Sequence, residues 1–266
     1  MNLVWAYGVG PRRWFAGALA GVLLLTGCGA DPDPAPTEPT PTGPTPTAEA
    51  AARDQLAALA AAAQDRTLTA IYTYRAGDKE RSVSVTIATD GSWRVDVPDL
   101  ALGGTVDISI VHNEIGLFQC ALPSADEAVT PSCVQIGNRD AEVPAAIDPQ
   151  VQRPLVTVRH VLTDQGAPLA VSTAARVPGA RGSCFAVETT TASVSAALDV
   201  GIYCYDADGT LTAARLDYGD LVLAGAPGPA PATVAMPGPV SDGKPLGMAA
   251  PPTPTPSVTG STQPAT

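Results

Sequence analysis

Five cysteines and two histidines are the side chains through which this chain could do covalent or metal chemistry. His112 and His160 stand far apart in sequence, neither beside a serine or cysteine motif, and the chain has no Gly-x-Ser-x-Gly elbow. Carboxylates such as Asp96, Asp107, Glu114 and Asp140 fall on the polar side of strand patterns or in turns. There they read as solvated surface charge rather than as an acid–base pair. No cysteines or histidines stand at the C-x2-C or H-x3-H spacing of a zinc site. Asp206-Ala207-Asp208-Gly209 begins like a calcium loop, but its glycine is fourth rather than sixth, and Asp217, not glutamate, is twelfth. It reads as a hairpin turn. The expectation is a chain that is not an enzyme, with no catalytic residue, metal or cofactor. Its cysteines then serve for lipid attachment and cross-linking.

Cys28 closes a stretch built for export. Arg12 and Arg13 precede an apolar run from Phe15 to Leu25, which ends in Leu25-Thr26-Gly27-Cys28. The run is well under the roughly 20 residues that cross a bilayer, so it reads as a secretory signal. Leu-x-Gly-Cys at its end resembles the bacterial lipobox, where the cysteine sulfur takes a diacylglyceryl thioether and becomes the first mature residue. Residues 1–27 are therefore expected to be removed and Cys28 to carry the lipid. Arg12-Arg13-Trp14-Phe15 matches only part of a twin-arginine signal, and paired arginines are ordinary in any signal, so the export route stays open.

The charge agrees with a lipid anchor. The chain carries 15 Lys+Arg against 26 Asp+Glu, a formal −11, and losing Arg12 and Arg13 makes it more acidic. Such a chain has no basic face for nucleic acid and no basic patch for anionic headgroups. Attachment must come from the lipid: at ~0.8 kcal/mol per buried methylene, one acyl chain binds marginally and two hold stably. The expected location is the extracytoplasmic face of the cell membrane.

Four cysteines remain, Cys120, Cys133, Cys184 and Cys204. An even number in an exported chain predicts two disulfides. Of the three possible connectivities, Cys120–Cys133 and Cys184–Cys204 each close a hairpin between neighbouring strand patterns, and this pairing is expected.

Those hairpins belong to a single domain between two proline-rich segments. Residues 28–49 hold seven prolines among Thr, Ala and Asp and predict an extended tether. Residues 225–266 hold 11 of the 27 prolines and few large apolar side chains, which predicts a disordered tail. Between them, residues 50–224 open with an alanine-rich helix over 50–64. Strand patterns follow. Val83, Val85 and Ile87 alternate with polar residues, as do Trp93, Val95 and Val97 after the Asp90-Gly91 turn, then Val106, Ile108 and Ile110. Period-two alternation in consecutive segments predicts an antiparallel meander with one dry and one wet face. A second helix is expected over 147–162, where Ile147, Val151, Leu155, Val158 and Leu162 recur at helical spacing and Pro154 must kink it or mark its start. Residues 167–178 stay open between helix and edge strand.

This order of elements resembles the LolA-like lipoproteins of actinobacteria, the group of the mycobacterial lipid carriers. The local matches are Gly116-Leu117-Phe118-Gln119-Cys120, Cys184-Phe185-Ala186-Val187 and Cys204-Tyr205-Asp206-Ala207-Asp208-Gly209. The resemblance spans about residues 50–224 and implies an α+β fold, a curved antiparallel sheet forming a half-barrel partly wrapped around two helical segments. It also implies a pocket for acyl chains. Here that pocket would be lined by Val85, Ile87, Trp93, Val95, Val106, Ile108 and Ile110. The expected function is to bind or carry a hydrophobic, lipidic ligand. The alternative is a cell-surface interaction module that holds an envelope protein partner and has no cavity.

Overall fold

The computed structural model describes residues 47–191 and 198–249. The signal, Cys28 and most of the tether lie outside them. Helix α1 spans Ala48–Gln64, and Thr47 starts it by accepting a hydrogen bond from the Ala50 N–H at 3.2 Å. It buries Ala52, Leu56, Ala57, Ala60 and Ala63, and the four alanines let its backbone lie close to its neighbours.

Eleven strands follow: β1 Leu68–Ala76, β2 Lys79–Ile87, β3 Trp93–Ala101, β4 Val106–His112, β5 Leu117–Leu122, β6 Ser132–Gly137, β7 Leu169–Thr173, β8 Ser183–Thr189, β9 Gly201–Tyr205, β10 Leu211–Leu216 and β11 Gly219–Leu223. They form one antiparallel sheet in the order β6-β5-β4-β3-β2-β1-β11-β10-β9-β8-β7. Two meanders are thus joined where β1 pairs with β11, through Tyr72 opposite Leu223 and Tyr74 opposite Leu221. The sheet does not close, and β6 and β7 are its edges. With its few helices, the fold is α+β.

The predicted alternation sets the register. Val85 lies opposite Val95, Val95 opposite Ile110, and Val97 opposite Ile108, so these side chains share one face. That inner face packs with α1 and the segment between β6 and β7 into the main core. The expected 147–162 helix is broken into pieces. A 3-10 turn spans Ala145–Ile147, a π-helical turn spans Arg153–Thr157, and α2 covers only Val158–Thr163. Pro154 has no N–H to give a regular helix at that point, and the wider turn absorbs the defect. The Asp148 carboxylate accepts from Gln150 N, Gln152 Nε2 and Arg153 ahead of the π turn. Residues 169–173 form the edge strand β7, and the stretch after it folds over the sheet.

Both disulfides form as expected, Cys120–Cys133 between β5 and β6 and Cys184–Cys204 between β8 and β9. They sit on the outer face, which is not uniformly wet. Around the first, Ala88, Val111 and Phe118 are buried beneath Val234 and Met236. Around the second, Val177 and Ala213 are buried with the cystine, and Ala174 and Ala180 pack against them.

The segment after Ala224 corrects the prediction of an unpacked tail from residue 225. Residues 225–249 run as a strap along the sheet. Gly228 bridges Thr69, the Pro231 and Ala232 carbonyls accept from the Thr89 and Asp90 N–H groups, and Val240 pairs with Cys133 on the outer side of β6. The strap then turns around that edge: Gly243 lies over Val134, and Leu246 bonds to Gln119. Gln119 lies opposite Ile110, on the inner face. Composition misled here because proline lacks a donor but keeps its acceptor, and strand edges and turns offer free N–H groups.

Candidate binding cavities

Val85, Val95, Val106, Ile108 and Ile110 have no solvent exposure and belong to the packed core between sheet and helices. Ile87 lines a void of about 20 Å³. Of the seven residues expected to face a ligand, Trp93 alone lines a large cavity.

That cavity, about 600 Å³, lies beside the ends of β3, β4 and β5, where the chain leaves β6 and enters the π turn. Its wall is polar and brings together the chain's two histidines, His112 and His160. The indole of Trp93 stacks on the His112 ring, centroids 5.5 Å apart and planes 10° from parallel. His112 Nε2 lies 2.9 Å from the Arg139 carbonyl. A carbonyl can only accept, so Nε2 carries a proton.

Across the cavity stands a network around Arg153. Its guanidinium meets Asp148 Oδ2 at 2.5 Å and Asp199 Oδ1 at 2.9 Å. Burial alone would lower the Arg153 pKa, but its bonds and charges with Asp148 and Asp199 outweigh burial and raise it. Tyr218 donates within reach of Asp199 Oδ2 at 3.3 Å and of the Gln150 carbonyl at 3.2 Å. Burial first, and then the Asp199 charge, pushes the Tyr218 phenol up, so it stays a neutral donor. Gln150 has φ +63°, unusual for a residue with a side chain, and is held there by Asp148 and Tyr218. The network fixes the start of the π turn to the strand pair that follows Asp199.

A second cavity of about 420 Å³ adjoins the first, and His160 and Leu198 line both. Its wall is largely apolar, from Val161, Ala167, Pro168, Leu169 and Leu198, with Thr189 and Thr191 at the end of β8. Arg53 of α1 shapes it by donating to the carbonyls of Asp164, Gln165, Ala167 and Leu169. One side chain thereby pins the turn between α2 and β7.

Among the described residues no three His, Cys, Asp or Glu side chains converge as metal ligands. The histidines share a wall but have no serine or cysteine there to activate. What the arrangement offers is a polar chamber opening onto an apolar one, both within the usual 300–1,000 Å³ of ligand pockets. Spacing could not reveal this: the histidines come from a strand end and a helix that meet only because the chain doubles back after β6. Comparison of the sequence with protein-family models gives no match, and neither does comparison with curated proteins.

Proposed function

We propose that the chain is a lipid-anchored protein of the cell envelope that binds an amphipathic, lipidic ligand across these two cavities. The observation that carries the reading is their adjacency: an apolar chamber of about 420 Å³ shares His160 and Leu198 with a polar one of about 600 Å³. An acyl chain fits the first and a headgroup the second. The Leu25-Thr26-Gly27-Cys28 motif supports attachment to the membrane through Cys28. The open eleven-stranded sheet with helices on its inner face is compatible with the curved half-barrel of LolA-like lipoproteins, whose carriers hold acyl chains. The site differs from the one the resemblance implies: it lies beside α2 and the ends of β3–β5 and β8, not against the middle of β2–β4.

Thr189→Trp puts an indole into the apolar cavity from an exposed strand end. Protein from its native host is expected to carry extractable lipid, and the variant to lose most of it with an unchanged melting temperature. Native mass spectrometry beside a thermal melt reads both. A second reading is an interaction module without a ligand, favoured by the complete burial of Val85, Val95, Val106, Ile108 and Ile110. Wild-type protein free of lipid, and unable to take up a fluorescent fatty acid, would decide for it.

A further inference from the structure

The polar chamber carries an excess of negative charge. Besides its two histidines, its wall holds four carboxylates, Asp140, Glu142, Asp148 and Asp199, against two guanidinium groups, Arg139 and Arg153. Arg139, Asp140 and Glu142 are exposed, and water and salt screen them. The other three are more enclosed. The side chains of Asp148 and Asp199 are 4% and 17% exposed, and both lean on Arg153, at 2.5 Å and 2.9 Å. Two largely buried carboxylates thus share one cation, and no other Lys or Arg pairs with either among the described residues. An excess charge in such surroundings is costly until something neutralises it.

Hydrogen-bonding capacity is left over in the same sense. Asp148 is fully engaged, by Arg153, Gln150 N and Gln152 Nε2. Asp199 is not. Its Oδ1 has Arg153, but Oδ2 has only the Tyr218 hydroxyl at 3.3 Å, which is shared with the Gln150 carbonyl at 3.2 Å. Gln152, on the same wall, is 2% exposed. Its Nε2 donates to Asp148 at 2.6 Å, so the end without a partner is Oε1, and an amide oxygen can only accept. The unspent groups on the enclosed side of the chamber are acceptors.

A head entering the chamber therefore meets negative charge and acceptors. It also meets the indole of Trp93, the ring type that attracts a cation most strongly. We propose that the amphiphile held across the two cavities carries an ammonium head, and that Asp199 is the residue that selects it. The assignment rests on the two-cavity reading above and names the head that reading leaves open. Position favours Asp199, because Leu198, the residue before it, lines both chambers. The carboxylate thus follows directly on the side chain past which an alkyl chain must run. A carboxylate or phosphate head would meet like charge there. A hydroxyl would find acceptors but leave the charge unbalanced.

The test compares dodecylamine, dodecanol and dodecanoate, which share a chain and differ in the charge of the head. Binding of each to the full chain is measured by calorimetry below its micellar concentration. Low salt and a mildly alkaline pH keep an imidazole neutral and the amine charged. Dodecylamine should bind tightest and dodecanoate weakest, with on the order of ten-fold between them. Asp199→Asn should cut the advantage of the amine over the alcohol several-fold. Because that change also takes a partner from Arg153 and could impair folding, the double variant Asp140→Asn, Glu142→Gln serves beside it. It alters exposed carboxylates only and should keep most of the amine preference. Equal affinity for the three probes, or tightest binding of dodecanoate, would overturn the ammonium assignment and leave the cavities standing as a lipid site. An amine preference that survives Asp199→Asn, or one lost with the exposed pair, would take the role from Asp199. Binding of none of the three would remove the two-cavity reading, and this assignment with it.

Discussion

Gln119 carries more of this fold than its place in a strand implies. Its side chain is buried, accepting from Leu246 N at 2.6 Å and donating to the Leu246 carbonyl at 3.0 Å. One amide thereby imitates a strand partner and holds the returning strap on the inner face. Gln119→Ala strands both backbone groups of Leu246, and about 1–3 kcal/mol of stability should go with them; urea unfolding that gives under half a kcal/mol would show the contact to be idle. Asp90 acts at the strap's other end. Its carboxylate accepts from Ser92 N at 2.8 Å and from Ser92 Oγ at 2.5 Å, and Ser92 Oγ in turn accepts from Val234 N at 3.0 Å. The Ser92 hydrogen bonds hold the Asp90 pKa below its ordinary 3.8. A depressed carboxylate stabilises the fold above 3.8, and that contribution is lost as pH falls through the lower folded value. The amide resonances of Ser92 and Val234 should therefore titrate together with a midpoint below 3.8. Independent midpoints, or a Val234 signal that ignores pH, would break the proposed relay.

Among elements, the strap is the one whose removal separates two views of the molecule. A chain ending at Ala224 loses the cover over Val111, Phe118 and the Cys120–Cys133 disulfide, and also loses the partners of Gln119 and Cys133. It should melt many degrees lower, whereas a chain ending at Ala249 keeps every strap contact and should melt like the full chain. Equal melting of both truncations would restore the view of 225–266 as an inert tail. The same elements mark what could be read from residue order. The alternation in Val83–Ile87, Trp93–Val97 and Val106–Ile110 gave strands, faces and register, because side chains on a pleated sheet obey a period of two regardless of context. The hairpin spacing of the cysteines gave both disulfides. The strap and the cavities were not legible for one common reason. They are made by backbone acceptors and by residues such as His112, His160 and Leu198, which only long-range chain reversals bring together. The π turn at Arg153–Thr157 was half-legible: Pro154 announced a defect, but not that a wider turn would accommodate it.

At the scale of the whole molecule, the proposed anchor and the proposed cavities make separate demands. Cys28→Ser should leave an unlipidated precursor, or release the protein to the aqueous phase if another peptidase cleaves it, with no acylated N-terminal peptide found by mass analysis. The melting temperature of the domain and the lipid it holds in the cavities should stay unchanged, since the described fold begins at Thr47. Acyl-free N-termini in the wild type would remove the membrane placement and leave the cavity reading standing.

The strap also imposes an order in time. It is synthesised after Cys120 and Cys133, yet it lies over both, and neither has any solvent exposure. An oxidant must reach the two thiols while the chain from Gly225 onward is still off the sheet. Once the strap has settled, neither oxidant nor reductant has a path to the sulfurs until it lifts. The first disulfide is thus sealed by a later stretch of chain, and its lifetime against reducing agents is set by how often the strap opens rather than by its own chemistry.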